Sequence, residues 1–296
     1  RDLVGAFGLV GGITAFASVV KGSITTIREF EQSIADLRAI TGASGEDLDF
    51  LKRNAIEMGK GVKGGAKAVV ESYKLIASAK PELLENVKSL NQVTKAVITL
   101  SQASGMELPE AATALTDAMN QFGAPAEEAA FFIDALANGA KYGSAEIPEI
   151  TDALLKFGAV AKSSNVSIGE STALIELLAE KGLKGAEAGT ALRNVLLKLS
   201  APDALPKDAQ KVIQGLGIDF EFLKDKTVTV QQKFEALKPL LQDDANLVKV
   251  FGLENVVAAK NVIGHTDRLA ELTSKMDEFG TAQEQATLRT QTLEGD

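Results

Sequence analysis

Three groups of residues in this chain have types and spacings that chemistry uses. Gly59-Lys60-Gly61-Val62-Lys63-Gly64 spells G-x-G-x-x-G, the turn in which glycines let a backbone approach a pyrophosphate at a helix N-terminus. That turn needs a strand before it. Here Leu48, Leu51, Ala55 and Met58 precede it at helical spacing, so the spelling is read as a turn between helices and no nucleotide is expected. The second group is the forty acids, among which a glycosidase-like carboxylate pair cannot be discounted by counting. That chemistry asks for a general acid of raised pKa in a cleft with aromatic sugar platforms, and the chain has two Tyr and no Trp. Glu187 is the first residue to test, and no catalytic residue is expected. The third is His265, the single histidine. It excludes a His-rich metal site or a two-histidine acid–base pair in this sequence and is expected near a helix start, in solvent. No cofactor or metal follows from these motifs.

The elements that would position such groups are more informative. In Gly182-Leu183-Lys184-Gly185-Ala186-Glu187-Ala188-Gly189-Thr190-Ala191-Leu192-Arg193, small residues lead into Leu192, Val195, Leu196 and Leu199 at helical spacing. Gly182 can end one helix in the left-handed conformation. Gly189 falls inside the next helix, where glycine costs about 1 kcal/mol relative to alanine. Another backbone packed close against it would offset that cost. Gly182, Gly185, Gly189 and Arg193 are therefore taken as one structural motif.

This stretch, read as K-G-x-x-A-G-T-A-L-R with L-x-x-L and Pro202 after it, resembles the hallmark of the core of phage tail tape-measure proteins. Three further blocks fall in the family's order: Phe30-Glu31 with Leu37 to Ser44, Val250-Phe251-Gly252-Leu253-Glu254 with Ala258-Ala259, and Gly280 to Ala286. Together they cover roughly residues 30 to 294. Residues before about 28 match no motif of the family, and the loop at Asp203-Ala204-Leu205-Pro206 is longer than its usual form. The resemblance implies a structural virion protein that sets tail length during assembly, occupies the tail tube and takes part in genome delivery. It implies tail-tube subunits, tail-tip or baseplate proteins and assembly chaperones as partners. The implied location is the tail-tube lumen or tip, with the host cytoplasm during assembly.

Composition narrows the classes. The net charge of −9 argues against a general nucleic-acid binder, which needs a basic face. Lys52, Arg53, Lys60, Lys63 and Lys67 are the local exception, read as a solvated face or an anion or partner contact. With 45% hydrophobic residues, 5% aromatics and no Cys, the core must be Ala, Leu, Val and Ile with thirteen Phe as its largest pieces, and no disulfide framework exists. The chain begins at Arg1 without Met and is read as an excerpt of a longer protein.

Leu3 to Val20 is eighteen uncharged residues between Asp2 and Lys21. As a helix it would span about 27 Å, just short of a hydrocarbon core of about 30 Å. Gly8 and Gly12 form a G-x-x-x-G pair suited to close helix approach. The segment is read either as a buried or oligomer-facing helix or as one making transient membrane contact. The rival reading of the whole chain, a helical membrane-active or pore-forming protein, rests on this stretch and on the Ala-rich helices.

Almost everything else reads as punctuated helices, an all-α multi-helix domain of packed hairpins. Leu83, Val87, Leu90, Val93, Val97 and Leu100 line a helix beginning just after Pro81, and Pro109, Pro125 and Pro148 suit first turns. Ser167-x-x-Glu170 and Thr229-x-x-Gln232 fit capping boxes. Ser104 to Ala129 echoes Ser164 to Ala188 at a spacing of about 60, which is either a duplicated helical hairpin or convergent Ala/Gly composition. Ile218, Phe220 and Phe222, then Thr227 to Val230 after a polar turn, alternate with period two and predict one short β-hairpin over about 218–230. Leu269, Leu272, Met276 and Phe279, continuing through Gln283, Ala286, Thr290 and Leu293, follow coiled-coil spacing. That register fits either a small homo-oligomeric bundle, with a trimer as the candidate, or a surface helix. The expected organisation is an apolar helix over 1–28, the helical core over 29–265 and a helical exit over 266–296 that starts a longer coiled coil.

Overall fold

A computed structural model describes residues 27–293. They form sixteen α-helices with no strand among the described residues. The chain divides into two compact units, Arg1–Thr94 and Lys95–Asp296. The Gly8 and Gly12 pair and the rest of the apolar opening lie outside the described residues.

In the first unit, α1 (27–41), α2 (Gly45–Gly59) and α3 (Gly65–Ala79) bury Leu37, Leu51, Ala55, Val70, Tyr73 and Ile76. The Tyr73 hydroxyl donates to Asn91 at 2.6 Å, and the Asn91 amide donates to Asn54 at 3.3 Å. Burial pushes the Tyr73 phenol above its ordinary pKa. The helix expected just after Pro81 begins later. Pro81–Glu85 is a 3₁₀ turn, and the Asn86 side chain takes the amides of Lys88 and Ser89 at 3.1 and 3.2 Å, so α4 runs Val87–Ser104. The side chain satisfies first-turn donors that proline at position 81 is too far away to start.

The second unit is built around α8 (Ile168–Ala179), where every residue except Glu170 is buried. A helix apolar on all sides needs neighbours on all sides. Those neighbours are α6 (Ala129–Tyr142), α7 (Ile147–Ser163), α9 (Gly185–Ser200), α14 (Val256–Gly264) and α15 (Thr266–Met276). α5 (Leu108–Phe122) packs on α7, and α16 (Thr281–Leu293) packs on α6. Both capping boxes form: Ser167 with Glu170 opens α8, and Thr229 with Gln232 opens α12 (Val230–Ala236).

The echo at a spacing of about 60 is geometric as well as compositional. Gly105 (φ +78°) and Asn165 (φ +59°) both turn left-handed ahead of their helices, and Gly123 (φ +62°) and Gly182 (φ +85°) do so after them. Each second turn closes with the same bond, Ala124 N–H to Met119 O at 2.9 Å and Leu183 N–H to Leu178 O at 3.0 Å. A side chain on a β-carbon disfavours that conformation, which is why glycine recurs there.

The β-hairpin at 218–230 does not form. Asp219 accepts the amide of Glu221 at 3.0 Å and starts the short helix α11 (Phe220–Lys224). Asp225 then accepts the amide of Thr227 at 2.8 Å, and Thr229 caps α12. Acceptor side chains ahead of each segment satisfy helix-start amides, and this local bonding competes with a ladder. Ile218, Leu223 and Val230 are buried, whereas Phe220, Phe222 and Val228 of the alternating set are only half-buried. The flanking helices α10 (Lys207–Gly215) and α13 (Asp244–Phe251) pack together.

Candidate functional site

Gly182 leaves α8 left-handed, and Lys184 is extended (φ −129°, ψ 165°) ahead of α9. A β-carbon on Gly182 or Gly185 would meet nothing within 4 Å, so these two serve the turn. Gly189 is different. A β-carbon there would lie 2.7 Å from Ala153 Cα and 2.8 Å from its carbonyl carbon, inside the backbone of α7. The absence of a side chain lets α7 and α9 touch backbone to backbone, and Ala188, Leu192, Val195, Leu196 and Leu199 complete the buried face. Arg193, one turn on, is half-buried. The four residues share one turn and one helix.

Lys184 shows what the motif's lysine does. Its ammonium donates to the Ser144 carbonyl and pairs with Glu149 at 3.2 Å. It therefore covers the turn between α6 and α7 from outside. From inside, Glu176 holds the same turn: its carboxylate accepts the amides of Ser144 at 2.6 Å and Ala145 at 2.9 Å. Gly139 and Gly143 make room for it, since a β-carbon on Gly143 would fall 2.5 Å from Glu176 Cγ and one on Gly139 would fall 3.2 Å from its Oε1. Glu176 is wholly buried and its Oε1 has no hydrogen-bond partner. Burial pushes its pKa up to about 7, against the opposing pull of the two amides and of the Lys184 charge.

Sequence reasoning missed Glu176. The available signal was one acid inside Ala173-Leu174-Ile175-Glu176-Leu177-Leu178, where no face of the helix is polar. Surface grooves of about 340 Å³ beside Ile147 and Leu288, and about 350 Å³ beside Phe131 and Lys162, are not lined by it.

The other sequence candidates do not join Glu176 and Lys184 at the α6–α7 turn. Glu187 is exposed in the first turn of α9, and His265 precedes α15 with Nδ1 2.9 Å from the Asn261 carbonyl. Gly59 ends α2, and Gly64 precedes α3, so the G-x-G-x-x-G spelling joins two helices. Lys52, Lys60 and Lys67 pair with Glu31, Glu57 and Glu29 at 2.7, 2.6 and 2.8 Å, exposed contacts worth little each. No helix of the described residues is long and apolar enough to cross a membrane.

The chain is 28% identical to the tape measure protein of Pneumococcus phage Dp-1 over 236 residues, 78% of this chain and 20% of that one. It is 26% identical to the probable tape measure protein of Escherichia phage P2 over 258 residues, 83% of this chain and 31% of that one. It thus spans a fifth to a third of the length of these relatives. No solved structure matches it. The family model for phage-related minor tail proteins matches residues 52–290, which include the Gly189 junction, Lys184 and Glu176, and the chain belongs to that family.

Proposed function

We propose that this chain is the folded core of a tail tape measure, a structural part without catalysis that acts by its shape and contacts. The observation that carries the reading is the similarity to two tape measure proteins along about four-fifths of this chain. A ruler works because an extended helix rises about 1.5 Å per residue. The longest helix among the described residues, α4, has 18 residues, and turns return the chain on itself throughout. This segment is therefore the module that the ruler carries and not its shaft. Its partners are tail-tube subunits, tail-tip or baseplate proteins and assembly chaperones, and its place is the tube lumen or tip.

Leu269, Leu272 and Met276 are buried inside the second unit. A homo-oligomer, trimer or otherwise, would draw on other residues of the exit segment, such as Phe279 in the bend after α15 and Leu288 on α16. The segment Leu3–Val20, with Gly8 and Gly12, remains a proposed contact segment for membrane or oligomer. Flotation with liposomes of the chain with and without residues 1–24 separates the two, since equal behaviour removes the membrane contact.

Cross-linking mass spectrometry of purified virions tests the main reading. The expected result is lysine cross-links from this module to tube or tip subunits. Its absence from purified tails would overturn it.

A further inference from the structure

The joint between α15 and α16 is held in an unusual way. α15 stops at Met276, α16 starts at Thr281, and Gly280 between them is left-handed at φ +86°. Helix ends orphan their last carbonyls and first amides. Here α6 supplies the partners for both. The Asp134 carboxylate accepts the amides of Gly280 and Ala282, each at 2.9 Å. The Asn138 amide donates to the carbonyls of Met276 and Glu278 at 3.2 and 2.7 Å. Asp134 is 6% exposed and Asn138 fully buried. Around them, the Tyr142 hydroxyl donates to Glu278, Lys141 pairs with Glu284 at 3.2 Å, and Gln285 donates to the Ala137 carbonyl at 3.1 Å.

The two helices are anchored differently. α15 buries Leu269, Leu272 and Met276, whereas the apolar side chains buried on α16 include Ala282 and Ala286 while Phe279 is 77% and Leu288 59% exposed. Apolar stabilisation scales with the area removed from water, so α15 is held by the core and α16 mainly by polar contacts. The spacing Leu272, Met276, Phe279, Gln283, Ala286, Thr290 and Leu293 also runs through the joint without a change of register. The bend at Gly280 is thus held by α6 across a stretch whose apolar spacing would also suit one straight helix.

We propose that α16 is a strap, fastened to α6 by the Asp134 and Asn138 side chains, that lifts off as a unit and extends α15 while α5 to α15 stay folded. Lifting it changes the direction in which the chain leaves the module and uncovers the polar face of α6. This inference goes beyond the tape-measure reading and does not depend on it.

Hydrogen exchange followed by mass spectrometry on the full chain tests it. In the unaltered protein, amides of 281–293 should exchange together, at least about tenfold faster than those of α8 and α15. Asp134→Ala should speed α16 about tenfold further and leave α8 unchanged. Should that variant not fold, Gln285→Ala, at the outer edge of the contact, must speed α16 alone by a smaller factor. Three results would overturn the strap: α16 exchanging in step with α8, either variant accelerating all helices equally, or a gradient of fraying from residue 293 that leaves 281–286 as protected as α15.

Discussion

The two echoing hairpins of the second unit, α5–α6 and α8–α9, share their turns but not their means of closure. At the first, Phe122 and Phe132 meet edge to face with ring centroids 5.7 Å apart. At the second, the corresponding positions are Lys181 and Ala191, and the bare backbone at Gly189 lies instead on Ala153 of a third helix, α7. The position that corresponds to Gly189 in the first hairpin is Ala130, which is exposed. The flanking Ala129 and Ala188 are both buried. One plan thus supports two solutions: large rings fill the space between the hairpin's own helices, and glycine removes a side chain where a third helix comes close. The second solution also brings a buried acid, because α8 is enclosed on every side and Glu176 has nowhere polar to point except the α6–α7 turn.

The largest effect should separate the hairpins outright. Gly189→Ala places a β-carbon inside the α7 backbone and should cost about 3 kcal/mol, since overpacking against backbone cannot be relieved by a rotamer change. Ala130→Leu, at the matching exposed site, should change stability by less than about 0.5 kcal/mol. Denaturant unfolding of both variants measures the contrast, and equal costs would erase it.

Glu176 gives the next effect. Its folded-state pKa of about 7 lies above the ordinary 4.5, so the native state holds the proton more tightly than the unfolded chain. Stability is then fullest below pH 4.5 as far as this group is concerned and falls as pH rises through about 7. The shift corresponds to roughly 3 kcal/mol at most. Glu176→Gln keeps the shape and removes the charge. It should flatten the slope between pH 5 and 8 and raise stability at pH 8, which thermal unfolding across pH reads directly. A variant that keeps the wild-type slope would show that the titrating group lies elsewhere.

Caps should give the smallest shifts. Ser167→Ala and Thr229→Ala each remove a side-chain acceptor from a first turn and should cost about 1 kcal/mol. The Ser167 change sharpens the comparison, since α8 is the core of its hairpin and α12 lies outside both. Calorimetry would detect each as a lowered midpoint.

Local rules made these caps and both glycine turns legible in the sequence, because donor, acceptor and turn lie within a few residues. Gly189 was legible as a conflict between helix position and residue type, though its partner Ala153 was not. The mistaken β-hairpin shows the limit of period-two patterning over short spans, where Asp219 and Thr229 as helix caps outweigh alternation. Glu176 and the bend after Met276 were hidden for another reason. Their partners come from distant elements, Ser144 and Ala145 for the first and Asp134, 146 residues from Gly280, for the second. Such contacts exist only after the helices have packed.

The proposed role, a folded module of a ruler and not its shaft, is open to a test by tail length measured by electron microscopy. Phage carrying Gly189→Ala in the full-length protein should make fewer tails of unchanged length. Removing 30 residues from an extended helical part of the same protein should shorten tails by about 45 Å. Full yields of uniformly shortened tails from Gly189→Ala, or unaltered length after the 30-residue deletion, would contradict the account.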